Sequence, residues 1–269
     1  MVNLEGVLRL DGCAMRYADS GGDGRPVVFL HGAGADHTMY AAQYETLVAA
    51  GFRAVLLDLR GHGSSRPNTA SLSAEVLATD IEALVAHLGL RRPALVGHSL
   101  GGNLAQRLVR RAPDRYSAMA VLDSAWNTGP LSAMERLALK SAAPVLRLIP
   151  ARALPRMMAD ASAVTDTARA DLVRVFSAMP KAEFLSVWLA TTRFVDPDPA
   201  YRTPVPLLLL RGAKDRTGNI ATAMPQWAAA EGIEEVVIPD AGHVVTLDAP
   251  EAASKALLAF LTRIESEHE

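Results

Sequence analysis

The chain has 269 residues, half of them apolar, with 27 basic and 29 acidic side chains and a formal net charge of −2. A chain of this size folds as one large globular domain that removes roughly 70 to 75% of its unfolded surface from water, so no disulfide or metal staple is needed. Balanced charge without a Lys/Arg run excludes the electrostatic stripe that nucleic acid demands, and the longest strongly apolar run, 205–210, is interrupted by Pro206 and too short to cross a bilayer.

At the N-terminus, MVNLEGVLRLDG carries acids and Arg9 where a signal peptide needs an unbroken apolar core, so a cytoplasmic location is expected. The absence of an Asn-x-Ser/Thr sequon agrees. Val7 to Leu10 and Ala14 to Ala18 flank Asp11-Gly12 as a predicted hairpin, and Cys13, the single cysteine, reads there as a small apolar side chain. A buried strand over 26–30 leads into a loop at 31–36 and a helix over 40–50 that Gly51 ends. The strand over 54–57 is followed by the loop DLRGHGSSRPN and a helix from about 73 to 88, capped by Ser71 or Ser73. Next come a strand over 94–96, the turn GHSLGG, a helix over 100–111 that Pro113 ends, and a strand over 116–122; strands over 207–210 and 236–238 follow much later.

Between 126 and 200 the spacing turns wholly helical. Helices are predicted over 131–142, 145–159, 167–179 and 181–194, punctuated by Pro130, Pro144, Pro150, Pro155, Pro180 and Pro197. Short strands alternating with helices on both sides of this stretch predict an α/β fold with a mostly parallel sheet flanked by helices. The organisation is therefore a core of residues 1–125 and 201–269 with an inserted helical cap, or lid, of residues 126–200. Asp248-Ala-Pro-Glu251 has the spacing of a capping box for the last helix.

The sharpest chemical signal is Gly97-His98-Ser99-Leu100-Gly101, a G-x-S-x-G set between a predicted strand and a predicted helix. A nucleophile on such a turn holds strained dihedrals, and flanking glycines let the backbone close around it. The helix start behind Ser99 presents unpaired N–H groups to developing negative charge, with the Leu100 amide as the first oxyanion donor. His31-Gly32-Ala33-Gly34, after an earlier strand, supplies the second donor at Ala33. Gly32-x-Gly34 with Asp58 also imitates a dinucleotide fingerprint, but the third glycine would fall at His37.

The ordered set FLHGAG, LLDLRGHGSS, LVGHSLGG, LLLLRGAKDRTG and IPDAGHVVTLDAPE resembles the α/β-hydrolase superfamily from about residue 26 to the C-terminus, the cap excepted. That resemblance implies an eight-stranded sheet whose second strand is antiparallel, a Ser-Asp-His order along the chain, and an oxyanion hole from the Ala33 and Leu100 amides. Relatives with Asp at the elbow attack alkyl carbon, so Ser99 points to acyl transfer.

Among seven histidines, His243 in Asp240-Ala-Gly-His243 follows the last strand, where a loop can place an imidazole over the elbow. His98 adjoins the nucleophile but points away from it, His31 and His62 lie in loops, His87 is in a helix and His268 is in the tail. Asp215, after the penultimate strand, lies between Ser99 and His243 in chain order and would hold the imidazole tautomer. Asp123, ending the strand after the elbow helix, is the rival acid; Asp240 is expected to bond its own loop. The polar run Asp58 to Ser64 shapes a loop, with Asp58 pairing with Arg60 or bonding loop amides. No H-x-x-x-H spacing occurs, so neither a metal nor another cofactor is required.

Gly32, His98 and Val244 near the reacting atoms, with Trp126, Met157 and Trp188 from the cap, are the expected substrate contacts. Adaptable methionines and the lack of an Arg/Lys pair in a catalytic loop favour a small, moderately hydrophobic ester, lactone or thioester. A hydrolase-fold ligand sensor with slow turnover, and serine-triad C–C hydrolysis or perhydrolysis, stay open beside esterase or lactonase chemistry. Oligomeric state is not readable.

Overall fold

The protein is described by a computed structural model over residues 2–266. Gly12, at φ 67°, turns β1 (Gly6–Leu10) back on β2 (Cys13–Asp19), the predicted hairpin. β2 then pairs antiparallel with β4 (Arg53–Leu57), and every later pairing is parallel: β3 (Pro26–Leu30) with β4 and β5 (Ala94–His98), then β6 (Ala118–Leu122), β7 (Leu207–Gly212) and β8 (Val236–Ile238). The sheet order is β1-β2-β4-β3-β5-β6-β7-β8, eight strands with the second antiparallel, as the resemblance implied.

Near-continuous apolar strands serve a sheet covered on both faces. Val28 and Leu30 of β3 pack on one side with Leu77 and Ile81 of α2 (Ala74–His87), Leu104 of α3 (Leu100–Arg111) and Met224 of α8 (Ile220–Glu231). Val27 and Phe29 pack on the other with Leu47 of α1 (Ala41–Ala49) and Leu257 and Phe260 of α10 (Pro250–Ser266). Ser73 caps α2, its side chain accepting from Val76 N at 3.2 Å. Because β3 lies between β4 and β5, the chain reverses its direction of winding there, and the loops after β3 and β5 emerge side by side at the strands' C-terminal ends.

Four helices sit between β6 and β7: α4 (Ala133–Leu148), α5 (Leu154–Ser162), α6 (Asp166–Ala178) and α7 (Lys181–Thr192). The insert leaves and rejoins the core at one place. Asp196 N donates to Asn127 O and Asp198 N to Thr128 O, both at 2.8 Å, and Arg110 of α3 pairs with both aspartates. Two expectations fail here. α4 runs through Pro144 and stops before Pro150, because a capping box at Ser132 and Glu135 starts it and burial of Ala143 and Leu146 on one face holds it together. Met134, Leu137 and Leu148 of α4 point outward, 79%, 65% and 84% exposed.

The second correction concerns Asp248, which caps nothing in α10. It ends the short helix α9 (Val245–Asp248), and its carboxylate accepts from Gly242 N, Val164 N, Thr165 N and the Thr165 hydroxyl at 2.9 to 3.1 Å. One anion thus joins the loop before α9 to the α5–α6 junction of the cap.

Candidate active site

β5 delivers Ser99 and α3 carries it away, with φ 50° and ψ −114° at the serine. For a residue with a side chain that conformation costs roughly 1 to 3 kcal/mol and persists only where its surroundings enforce it. They do so here: Ser99 N donates to Leu122 O at 3.0 Å, and the Ser124 hydroxyl donates to Ser99 O at 2.7 Å. The glycines are steric necessities. A Cβ at Gly97 would strike Gly101 backbone, one at Gly101 would overlap the Leu30 carbonyl, and one at Gly102 would meet Ser124. Ser124 went unnoticed in the sequence; its place beside the elbow follows only from the β5–β6 pairing.

Leu100 opens α3, so its amide is among those with no intrahelical acceptor. Gly32 and Ala33 come from the β3 loop; a Cβ at Gly32 would lie 2.7 Å from His98 Nδ1 and 3.4 Å from Ser99 Cβ, so only glycine lets this loop approach the elbow so closely. Ala33, Ser99 and His243 line one cavity.

The imidazole is tied down from several sides. His243 Nδ1 and Asp215 Oδ2 are 3.0 Å apart, with the Asp215 side chain fully enclosed and that of His243 9% exposed. Thr217 N donates to the other Asp215 oxygen at 2.8 Å. Burial opposes charge on Asp215, yet the hydrogen bond and charge of His243, followed by Thr217, bring its carboxyl below the usual range. With Nδ1 committed to Asp215, Nε2 is the nitrogen left to act. His98 lies alongside, ring centroids 4.7 Å apart, and donates from Nε2 to the His243 carbonyl at 2.7 Å. That leaves His98 Nδ1 as a buried acceptor without a partner among the described residues. Burial and the neighbouring His243 push the His98 ring down to about 3.

Asp123 is also present. Fully buried at the end of β6, at φ 42°, it accepts from Gly212 N at 2.8 Å. One carboxylate oxygen each of Asp123 and Asp215 and a ring nitrogen of His243 all lie within 4.8 Å of one another. The recorded bond of the imidazole is to Asp215.

The cavity holds about 310 Å³. Its roof is apolar: Ala142, Val145 and Leu146 from α4, Met158 from α5, Phe176 from α6, Phe184 and Trp188 from α7. Among the expected contacts, Gly32, His98, Trp188 and Val244 line it. Trp126 and Met157 do not. Trp126 turns into the core and stacks on Trp227, centroids 6.1 Å apart and planes within 4°. Met157 faces outward, 43% exposed, because one residue along a helix is a rotation of about 100°, and the adjacent Met158 takes the inner position. Trp188 Nε1 is buried without a partner among the described residues.

Other polar candidates belong to the scaffold. Asp58 accepts from the His37 backbone, the His37 ring and Ser64 N, while Arg60 pairs with buried Asp80 at 2.7 Å instead of with Asp58. Asp240 is exposed and pairs with Lys214 at 2.7 Å rather than with its own loop. His31 and His62 are buried, ring centroids 4.8 Å apart, and His87 meets Tyr17 on the surface. Cys13 is buried in β2, its thiol donating to Ser65 O. His268 lies outside the described residues. Among the described residues no helix is long and apolar enough to cross a membrane.

Comparison with known proteins gives a consistent picture. The sequence profile of the alpha/beta hydrolase family matches residues 27–256. The dihydrolipoyllysine-residue acetyltransferase component of the acetoin cleaving system from Pseudomonas putida is 28% identical over 270 residues, covering 94% of this chain and 68% of that protein. A non-heme chloroperoxidase from Kitasatospora aureofaciens is 39% identical over 115 residues, 43% of this chain and 42% of its own. Among solved structures, a thermophilic esterase from Thermogutta terrifontis superposes with a TM-score of 0.80 at 25% identity, covering 96% of this chain and 99% of that one.

Proposed function

The chain belongs to the alpha/beta hydrolase family, and from that membership and the site's geometry we propose that it is a serine hydrolase cleaving a small, moderately hydrophobic carboxylic ester or lactone through an acyl-enzyme. The observation that carries this reading is the strained Ser99 sharing a cavity with an imidazole whose far nitrogen is held by a buried carboxylate.

In this mechanism His243 Nε2 takes the Ser99 proton as Oγ adds to the substrate carbonyl. Negative charge gathers on the carbonyl oxygen, which the Ala33 and Leu100 amides receive; each such donor contributes roughly 3 to 4 kcal/mol to the transition state. The proton then passes to the departing alkoxide, leaving the acyl group on Ser99. Water, deprotonated by the same nitrogen, repeats the addition and frees the acid. Asp215 keeps Nδ1 protonated throughout and stabilises the imidazolium. An apolar roof over a few polar atoms suits a substrate with little charge.

Incubation with a series of p-nitrophenyl esters is expected to give turnover that Ser99→Ala abolishes, and a fluorophosphonate should label a peptide containing Ser99. Labelling elsewhere, or turnover surviving the substitution, would sink the assignment. The likeness to a chloroperoxidase favours a second reading, in which hydrogen peroxide replaces water as acyl acceptor. Halide oxidation that requires both peroxide and a carboxylic acid, and that vanishes in Ser99→Ala, distinguishes it.

A further inference from the structure

Asp123 is a buried carboxyl beside the site that the mechanism leaves idle. Its Oδ1 accepts from Gly212 N, whereas Oδ2 is enclosed without a partner among the described residues, and a carboxylate oxygen of Asp123 lies within 4.8 Å of one from Asp215 and of a His243 ring nitrogen. Two ionised carboxylates can only accept, so an ionised Asp123 would leave a bare buried oxygen beside a second negative charge. One of the pair has to be neutral, and the donors decide which. Asp215 receives the His243 ring and Thr217 N; Asp123 receives a single backbone N–H. Asp215 therefore carries the charge and Asp123 the proton.

We propose that Asp123 is a neutral carboxylic acid whose Oδ2 hydrogen is donated to the Asp215 carboxylate, making it a positioning residue that holds the acid which holds the base. The proposal rests on the reading of Asp215 and His243 as catalytic. The facing groups are consistent with it. Arg211, whose charge favours ionisation of Asp123, is committed to Glu235 at 2.7 Å, the Tyr40 hydroxyl donates to Leu30 O, and burial keeps the His98 ring beside His243 neutral. Burial first, then the charge of Asp215, drives the Asp123 carboxyl well above the usual range.

Infrared difference spectroscopy of the resting protein tests this without using catalysis. Wild type minus Asp123→Asn at neutral pH is expected to show the carbonyl band of a protonated carboxyl that shifts in heavy water. Only carboxylate bands in that difference would overturn the proposal, whether or not Ser99 proves to be the nucleophile. Kinetics adds a second arm. Asp123→Leu, which removes the donor, should lose about 10- to 100-fold in kcat with KM unchanged. Asp123→Asn, which keeps a neutral donor, should recover most of that loss. If the asparagine variant falls as far as Asp215→Asn, Asp123 is an ionised member of the machinery and the proposal fails. Should the leucine variant not fold, stability provides the arm instead. Above about pH 4 the unfolded wild type gives up a proton that the folded protein keeps, so the thermal midpoint of Asp123→Asn should rise relative to wild type as pH rises from about 5 to about 8. A constant difference across that range would count against a neutral Asp123.

Discussion

Burial sets the charge of individual histidines in this protein. His62 is wholly enclosed, and burial, then the neighbouring His31, lowers its ring from 6.5 to about 3; His98 is lowered to about 3 in the same way. The unfolded chain protonates these rings near 6.5, whereas the folded chain resists until about 3. Stability is thus complete above the higher value and is lost as pH falls through that window, at about 1.4 kcal/mol per pH unit for each ring. His62→Asn can still donate to the Arg60 carbonyl that the ring now binds. Its urea midpoint should fall less steeply than that of wild type between about pH 7 and about pH 5, and parallel slopes would show that His62 titrates normally in the fold.

At the scale of elements, the crossing of α3 over the end of β3 is the tightest constraint around the serine. Gly101→Ala would drive a methyl into the Leu30 carbonyl, so either α3 or the β3 loop has to move. Overpacking of this kind costs about 1 to 3 kcal/mol, or roughly 3 to 10 °C in Tm. Either displacement separates the Leu100 and Ala33 amides, so fluorophosphonate labelling should fall with Tm; a variant as stable and as reactive as wild type would mean that the contact is slack. The glycines and alternating apolar runs made this part of the molecule readable in advance, because the constraint and its cause lie within a few residues. Ser99, His243 and the Asp215 position follow from strand ends in the same way. The cap was read less well. Pro144 suggested a break, yet α4 continues because its Ser132 box and inner apolar face outweigh one missing donor. Hydrophobicity alone points Trp126 and Met157 at the cavity, but it does not say toward which neighbour a side chain turns. Asp248-x-x-Glu251 matched a local pattern, but partners more than 80 residues away claimed the aspartate.

Across the whole molecule, the sheet carries Ser99, the final loops carry Asp215 and His243, and the helices between β6 and β7 roof the cavity that Ser99 and His243 line. Asp248 is where these contributions meet, accepting from Gly242 next to His243 and from Val164 and Thr165 in the cap. Asp248→Ala removes the shared acceptor and leaves part-buried N–H groups unpaired, at about 1 to 3 kcal/mol for each one left dry. Its expected signature is twofold: faster protease cleavage near residues 163–165 and lower kcat, with the sheet's far-UV spectrum unchanged. Cleavage without loss of kcat would show that the two sides are independent. If the coupling holds, raising the roof and slackening the base are a single event. The enzyme then has an interlock: when it is ajar to solvent its serine is disarmed, and water admitted with the door open meets a nucleophile that has no partner to activate it.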